Sequence, residues 1–390
     1  MMKKYNFNEI IPREGTNCIK YDAREWLFKT NDVLPLWVAD TDFRTPDFIA
    51  EAIKKRAEHE IYGYTFKPDS YFDAVIGWMK RRHNWTIEKE WISSSPGVVA
   101  GLTLAIETFS KPGDGVIVQP PVYFPFFESV KGTKRKMVEN PLKIENGRYT
   151  LDFEDLRSKI DKNTRLLLLC NPQNPGGMVW TQNELEKLAE ICLENNIIVI
   201  SDEIHSDLVF TGNRHIPFAT LSEETAKNSV ICMAPSKTFN VAGLASSLVI
   251  IPDKTKKARY ERALNVGHLG MGNIFGSVAL EAAYSNGDKW LNQLLDYLWE
   301  NYLFLENFIT KNLPKVKVMK PEATYLIWLD FREYGMNDEE LMQFTVEKAK
   351  VGLNNGGRFG TGGDGWLRLN IGCPRSVLEE GLNRLKEAFG

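Results

Sequence analysis

The sequence has few cysteines, no excess charge of either sign and no long apolar run. Its 390 residues include only 5 cysteines, and no two of them have CxxC spacing. This argues against a disulfide framework or a zinc site and predicts buried thiols in a reducing compartment. Lysine plus arginine number 48 against 51 for aspartate plus glutamate, a formal charge of −3. That balance argues against a protein that binds nucleic acid by neutralising its phosphates.

Membrane and secretion signals are also missing. No apolar run approaches the roughly 18 residues of a membrane span, and the longest, such as 166–170, have the length of strands. The first residues carry two lysines without an apolar stretch, which predicts no secretory signal. At 43% hydrophobic and 25% charged residues the composition is typical of a folded globular protein. We therefore expect a soluble, cytoplasmic protein with no membrane partner.

The middle of the chain alternates short apolar runs with helical patterns. The runs predict buried strands at 116–119, 166–170, 197–201, 230–233 and 248–251. The clearest helix lies over 181–195, where Thr181 and Glu184 have the spacing of a capping box. Nearly continuous apolar strands are typical of a sheet covered on both faces. The alternation thus predicts an α/β domain with a mostly parallel sheet flanked by helices.

The pattern changes after about residue 285. A long helical stretch comes first, and strands and helices then follow without regular alternation, which predicts a smaller α+β domain. The predicted elements are helices over 288–313, 338–349 and 376–389 and strands over 316–319, 324–331 and 366–371. We predict a large domain over residues 46–285 and a discontinuous small domain made of 1–45 and 286–390.

A glycine-rich segment over 352–365 contains the pattern G-x-G-x-x-G. A dinucleotide site requires a strand before these glycines and a helix after them. Here the residues that follow alternate like a strand, so the segment predicts a mobile loop.

Three polar segments follow predicted strands. They are NPQNPGG at 171–177, SDEIH at 201–205 and APSKTFN at 234–240. Each alone has an ordinary alternative, namely a turn, a helix cap or a surface lysine. All three lie where strands end, and open α/β sheets bind ligands at the carboxyl ends of their strands. Their order and spacing together favour a catalytic site.

Pyridoxal phosphate is the cofactor whose chemistry needs this set of side chains. A lysine amine must form a Schiff base with its aldehyde, an acid must keep the pyridine nitrogen protonated, and a donor must bond the phenolic oxygen. Lys237 fits the first role, Asp202 the second and Asn174 the third.

These segments resemble the fold-type I pyridoxal-phosphate enzymes of the class I/II aminotransferase superfamily, over nearly the whole chain. The segment LWVADTDF at 36–43 narrows the resemblance to the MalY/PatB branch of cystathionine β-lyases. Further matches to that branch lie at 61–65 (IYGYT), 95–99 (SPGVV) and 120–123 (PPVY). The resemblance implies the fold-type I transferase fold, with a mostly parallel sheet, a smaller α+β domain and pyridoxal 5'-phosphate as cofactor.

Residues Gly97, Val98 and Val99 open an apolar helical run, and free N–H groups at a helix N-terminus form a natural phosphate site. A simple turn into a helix needs the same geometry. Ser236 would add a hydroxyl. The resemblance implies that Tyr64 reaches the cofactor phosphate of a partner subunit, and hence a homodimer with shared active sites.

The resemblance also implies that Tyr123 stacks on the cofactor ring and serves in catalysis, although a role as a core aromatic stays open. His205 stands where the wider superfamily has a tyrosine, and the MalY/PatB branch has the same histidine; a plain core histidine is the alternative. The arginine that many aminotransferases carry shortly after the lysine is missing. Phosphate binding is therefore expected to rest on backbone groups, hydroxyls and tyrosine.

Arg368 lies in a strand pattern between Leu367 and Leu369, so its charge needs a partner. A substrate α-carboxylate suits its planar fork, and an internal salt bridge is the alternative. From the 36–43 segment, we expect Trp37 and Asp40 to contact the substrate.

The expected activity is a pyridoxal-phosphate-dependent carbon–sulfur β-lyase that cleaves cystathionine or related cysteine S-conjugates to a thiol, pyruvate and ammonia. An L-amino-acid aminotransferase is the alternative, because it needs the same residues apart from the branch signatures. A regulatory or binding protein of this fold is disfavoured, since Lys237 and Asp202 are kept and no DNA-reading segment is present.

Overall fold

The computed structural model describes residues 3–390. The strands are β1 Leu34–Pro35, β2 Ile92–Ser95, β3 Gly115–Val118, β4 Lys136–Glu139, β5 Lys143–Glu145, β6 Arg148–Thr150, β7 Thr164–Cys170, β8 Ile198–Asp202, β9 Ser229–Met233, β10 Ser247–Ile250, β11 Lys317–Val318, β12 Leu326–Asp330, β13 Val351–Gly352, β14 Asn354–Asn355 and β15 Trp366–Asn370.

The helices are α1 Ile19–Asp22, α2 Arg24–Phe28, α3 Asp47–Ala57, α4 Asp69–His83, α5 Val98–Phe109, α6 Pro125–Gly132, α7 Phe153–Lys159, α8 Gln182–Glu194, α9 Glu223–Lys227, α10 Lys254–Val266, α11 Ile274–Asn286, α12 Asp288–Asn312, α13 Asp338–Glu347 and α14 Arg375–Phe389. No helix within residues 3–390 has both the length and the apolar composition of a membrane span.

A seven-stranded sheet forms the centre of the molecule, in the order β2-β10-β9-β8-β7-β3-β4. The strands from β9 to β4 in this order pair in parallel, and β10 is antiparallel to both of its neighbours. Strands β3, β9 and β10 are buried along their whole length, because helices cover both faces of the sheet. The predicted mostly parallel α/β sheet is confirmed.

A second sheet of four strands, β11-β12-β15-β14, is antiparallel and comes from the last quarter of the chain. The short strand β1 pairs in parallel with β13, which ties the N-terminal arm to this part of the molecule. The division into domains at residues 46 and 285 stays a prediction, since one hydrophobic cluster runs from Phe7 through both sheets to Phe389.

Local sequence signals set the ends of several helices. Helix α8 begins after Thr181, whose hydroxyl accepts from the Glu184 N–H while the Glu184 carboxylate accepts from the Thr181 N–H. This is the predicted capping box, which satisfies two amide donors that the first turn leaves unpaired. Helix α5 begins after Gly97 and has no side-chain cap, so its first N–H groups stay available.

The glycine-rich segment 352–365, which we expected to be a mobile loop, contains regular structure. It holds β14 and a short 3₁₀ turn over Gly356–Phe359, and Asn355 caps that turn. The backbones of Gly356 and Gly363 pack so closely that a Cβ on either would meet the carbonyl oxygen of the other at 2.1 Å. Glycine is required here for this contact, which alternation in the sequence cannot reveal.

Candidate active site

The ends of three neighbouring parallel strands bring the three predicted polar segments together. Strands β7, β8 and β9 lie side by side, and Asn174, Asp202 and Lys237 follow or end them. All three side chains line one cavity of about 200 Å³ at the carboxyl edge of the sheet. The lining residues are Ala39, Pro96, Gly97, Val98, Val99, Ala100, Tyr123, Cys170, Asn174, Asp202, Ile204, His205, Ser236, Lys237, Ala242 and Ser246.

The loop after β7 is fixed before it reaches the cavity. Gln173 donates from Nε2 to the Pro121 carbonyl at 2.6 Å, and its Oε1 accepts from the Gly176 N–H at 2.7 Å. Gly177 has a φ of +75°, and a Cβ there would lie 2.9 Å from the Ala323 carbonyl oxygen. These contacts hold Asn174 in place without using its own side chain.

Asp202 ends β8 with its carboxylate buried and one hydrogen bond to it, from the Ile204 N–H at 3.1 Å. Burial is the largest influence and raises the pKa of Asp202 to about 7 from 3.8, against the lowering by that hydrogen bond and by Lys237. A buried carboxylate with so few donors favours binding of a cation or of a protonated ring nitrogen.

Lys237 follows β9 and donates from Nζ to the Ala39 carbonyl at 2.6 Å. Burial lowers its pKa to about 8 from 10.5, partly opposed by the negative charge of Asp40. The lowered pKa enlarges the fraction of its amine that is neutral and nucleophilic near neutral pH.

His205 and Asn174 present polar atoms to the same cavity. The Nδ1 atom of His205 is buried and has no hydrogen-bond partner within residues 3–390. Burial, reinforced by Lys237 and Arg368, lowers the pKa of His205 to about 3, so its ring is neutral. Asn174 accepts from Arg368 through Oδ1 at 2.9 Å, which leaves its amide nitrogen as the free donor.

Another part of the cavity lining suits an anion. The N-terminus of α5 contributes Gly97, Val98 and Val99 to the lining, and the hydroxyl-bearing Ser236 and Ser246 line the same cavity. Free N–H groups and the helix dipole both favour negative charge at this point. Ser246 has no signal in the sequence that distinguishes it from an ordinary loop serine.

Arg368 is buried on β15, next to the cavity rather than in its wall. Its guanidinium donates to Asn174 and to the Trp37 carbonyl, and its Nε has no partner within residues 3–390. Burial lowers its pKa to about 10, and the described residues offer it no carboxylate. The internal salt bridge considered above is therefore not formed.

Trp37 and Asp40 lie near the site, but their side chains are engaged elsewhere. The Trp37 indole packs on Phe28 and donates to the Lys20 carbonyl at 3.0 Å, so only its backbone oxygen faces Arg368. The Asp40 carboxylate accepts two hydrogen bonds from Arg13, at 2.7 and 3.1 Å. Neither side chain lines the cavity, and direct contact of either with the substrate stays a prediction.

Tyr64 stands away from the cavity of its own chain and is 93% exposed. Its neighbours Ile61, Tyr62 and Phe66 are exposed as well, which is unusual for adjacent large apolar side chains.

Two polar residues that the sequence did not predict at the site hold the backbone of the 37–42 segment beside it. The Tyr325 hydroxyl donates to the Ala39 carbonyl at 3.1 Å, beside the bond from Lys237. Asn370 donates to the carbonyls of Val38 and Asp40, both at 2.6 Å. The sequence carries the residues but no pattern that brings them to the 37–42 segment.

The comparisons with known proteins identify the family. Residues 31–385 match the sequence profile of the aminotransferase class I and II family, which is more than half of the chain. The chain belongs to this family. It is 49% identical over 385 residues to cystathionine beta-lyase PatB of Bacillus subtilis (strain 168), covering 98% of this chain and 100% of that protein. The expected superfamily and branch are confirmed.

Solved structures agree with this assignment. A PLP-bound putative aminotransferase from Clostridium difficile 630 superposes with a TM-score of 0.97 at 48% identity, covering 99% of this chain and all of that one. The PLP-bound C-S lyase from Staphylococcus hominis gives 0.92 at 35% identity, covering 99% and 98%. The fold-type I architecture expected from the sequence is confirmed.

Proposed function

We propose that this protein is a pyridoxal-phosphate-dependent carbon–sulfur β-lyase acting on cystathionine or related cysteine S-conjugates. The observation that carries the proposal is the single cavity that joins Asn174, Asp202 and Lys237 at the ends of three adjacent strands. Full-length identity of 49% to a cystathionine β-lyase supports the choice of reaction.

The residues of the cavity fit the cofactor. The buried Asp202 carboxylate needs a cationic partner, which a protonated pyridine nitrogen provides. The N-terminus of α5 with Ser236 and Ser246 would hold the phosphate. The Asn174 amide and the unpartnered Nδ1 of His205 would meet the ring substituents, with Tyr123 on one face.

When bound, pyridoxal phosphate supplies an electron sink for the pair of electrons left when the Cα–H bond breaks. An ionised Asp202 would stabilise the positive charge on the pyridine nitrogen. Lys237, whose pKa is lowered by burial, takes the proton from substrate Cα as the general base. It can then return that proton to the departing sulfur.

Arg368 would bind the substrate α-carboxylate. Its Nη atoms donate to Asn174, to the Trp37 carbonyl and to Asn354, which fixes the orientation of the guanidinium, and its unpartnered Nε remains available to an anion. Trp37 and Asp40 act in this proposal through the 37–42 backbone, which also accepts from Lys237 at Ala39.

Product analysis with cystathionine and no 2-oxo acid tests the reaction. A β-lyase breaks the Cβ–S bond and, with water, releases the thiol, pyruvate and ammonia over many turnovers. An aminotransferase gives a single half-turnover and then stalls, because no acceptor restores the cofactor. A stalled reaction would overturn the lyase proposal in favour of the second activity.

The variant Lys237→Ala checks the assigned base. We expect loss of turnover and of the visible absorbance that the cofactor shows when linked to the lysine. Lys227→Ala is a matched control, since that lysine is exposed and pairs with Glu223 on the surface. Elimination retained in Lys237→Ala would contradict the assignment.

A homodimer with shared active sites is part of the proposal. Exposed apolar side chains, Ile61, Tyr64, Phe66, Val266 and Met271, mark the segments 61–66 and 266–271, and a second copy of the chain is the proposed cover. Tyr64 would then reach the phosphate end of the partner's cavity. Sedimentation of the purified protein at twice the chain mass is the expected result, and a monomer would contradict it. A cytoplasmic location stays a prediction.

A further inference from the structure

A second carboxylate, Asp207, lies outside the cavity lining and accepts hydrogen bonds from three side chains. Its side chain is buried and accepts from Trp78 Nε1 at 3.0 Å, from His83 Nε2 at 2.9 Å and from the Thr238 hydroxyl at 2.8 Å. It does not line the cavity, and the proposed chemistry does not use it.

The position of these partners in the chain is informative. Asp207 lies five residues after Asp202, in the segment that follows β8, and Thr238 directly follows Lys237 after β9. Strands β8 and β9 are adjacent and parallel, so their following segments leave the sheet side by side. The Thr238–Asp207 hydrogen bond therefore connects the segment that contains Asp202 to the segment that contains Lys237.

Helix α4, which lies outside the sheet, also donates hydrogen bonds to Asp207. Trp78 and His83 both lie on α4 and donate to the same Asp207 oxygen, Oδ1, while Thr238 donates to Oδ2. Oδ1 of Asp207 is thus bonded to helix α4, and Oδ2 is bonded to the segment that contains Lys237. Carboxylate hydrogen bonds of this kind are about twice as strong as neutral ones.

The charge on Asp207 is held by these bonds. Burial acts to raise its pKa, but His83, Thr238 and Trp78 together bring it below the usual value for an aspartate. The carboxylate is therefore ionised, and loss of any one donor leaves negative charge less well compensated in a buried place.

We propose that Asp207 is a positioning residue for Lys237, acting through the Thr238 hydroxyl. The proposal rests on the role of Lys237 as the cofactor-linked lysine. The side chain of Lys237 extends into the site from a backbone that is held at the next residue by the Thr238–Asp207 hydrogen bond. Proton transfer at substrate Cα depends on placement of Nζ to within a fraction of an ångström. Loss of the Thr238–Asp207 hydrogen bond therefore lowers the rate more than it weakens substrate binding.

The test compares Thr238→Val with Thr238→Ser in the cofactor-loaded enzyme. Valine keeps the shape and removes the hydroxyl, whereas serine keeps the hydroxyl. We expect Thr238→Val to lower kcat about tenfold with KM changed less than about twofold, and Thr238→Ser to stay near the wild type. Thr345→Val is the control, since Thr345 is buried and its hydroxyl bonds Leu341 within α13.

A spectroscopic titration gives a readout that a purely structural role leaves unchanged. The visible absorbance of the lysine-linked cofactor is followed against pH. Thr238 holds the lysine segment so that Lys237 Nζ lies within the influence of Asp40 and Asp202, whose negative charges raise its pKa, so loss of that hydrogen bond should shift the midpoint by about half a unit or more. The same midpoint is expected in Thr345→Val as in the wild type.

Unchanged kcat and unchanged midpoint in a folded Thr238→Val would overturn the proposal, whatever its melting temperature. If that variant does not fold, Thr238→Cys, with a weakly donating thiol, gives the same comparison and an intermediate loss is expected. If the wild type cleaves no S-conjugate but shows the linked-cofactor absorbance, the proposed reaction fails while the titration still tests Asp207.

Discussion

Asp202 and Asp207 lie five residues apart in one segment, and both are nearly inaccessible to solvent, yet their chemical settings are opposite. One backbone N–H reaches Asp202, and burial raises its pKa to about 7. Three side-chain donors reach Asp207, and its pKa lies below the usual value. Burial is common to both, so the number of donors accounts for the difference.

The difference separates a ligand-binding group from a structural one. A buried carboxylate with few hydrogen-bond donors from the chain can gain free energy by binding a ligand. A carboxylate whose donors all come from the chain stabilises the fold instead. His205 and Arg368 follow Asp202 in this respect, since each keeps a buried polar atom without a partner in residues 3–390. At this site the side chains proposed to bind ligands keep unsatisfied polar atoms, whereas the satisfied Asp207 supports the structure around them.

Among the variants that test this comparison, the largest expected effect is on turnover in Asp202→Asn. An amide cannot hold a positive charge on the ring nitrogen, so kcat with a cysteine S-conjugate should fall roughly a thousandfold. Steady-state pyruvate release measures this. Cofactor binding itself should be weakened far less, and a fall in kcat below about tenfold would contradict the role given to Asp202.

The two aspartates should respond oppositely to the same change when stability is measured without cofactor. Asp207→Asn leaves donors unpaired and should lower the free energy of unfolding at pH 8 by about 3 kcal/mol. Asp202→Asn removes a strained charge and should raise it by roughly 2–4 kcal/mol. Urea unfolding of both variants measures this, and destabilisation of equal size in both would contradict the comparison.

The pH dependence of these effects has a definite sign. The folded-state pKa of Asp202 is raised from 3.8 to about 7, so the wild type without cofactor loses stability as the pH rises through that window. The gain in Asp202→Asn should therefore grow between about pH 4 and 7 and be complete above it. Asp207 has a lowered pKa, so its stabilisation is present above the unfolded pKa near 3.8 and is lost as the pH falls.

Arg368→Met should raise KM for the substrate about 10- to 100-fold with a smaller change in kcat, because it removes a charged, bidentate donor for the α-carboxylate. Arg368→Lys keeps the charge without the planar fork and should lie between the variant and the wild type. An unchanged KM in Arg368→Met would exclude this residue from substrate binding.

The smallest effect is expected for Tyr64→Phe. Loss of one hydroxyl donor to the phosphate should raise the cofactor dissociation constant about five- to tenfold. The melting temperature of cofactor-free protein should change little, because the Tyr64 hydroxyl has no hydrogen-bond partner within residues 3–390 of its own chain and the ring is kept. Tyr62→Phe is the control, since that hydroxyl bonds the Ala57 carbonyl of its own chain. Equal effects of both variants on cofactor binding would contradict the shared site.

Much of the site could be predicted from the sequence. Motifs that end apolar strands predicted Asn174, Asp202 and Lys237 correctly as neighbours, because parallel strands bring their carboxyl ends to one edge. The helix start at Gly97 was predictable for the same kind of local reason. The side chains of Trp37 and Asp40 were not, since the partners that turn them away, Phe28 and Arg13, lie elsewhere in the N-terminal arm.

The sequence by itself determined the strand and helix pattern, the family and the residues at the ends of β7, β8 and β9, because these depend on short-range periodicity and on motifs. Tertiary structure alone decided which buried polar groups are satisfied. Asp202 and Asp207 are the same residue type in one short segment. Only the packing of α4 and of Thr238 against Asp207 gives it the donors that Asp202 lacks, and hydrogen bonds between distant segments leave no periodic trace in the chain.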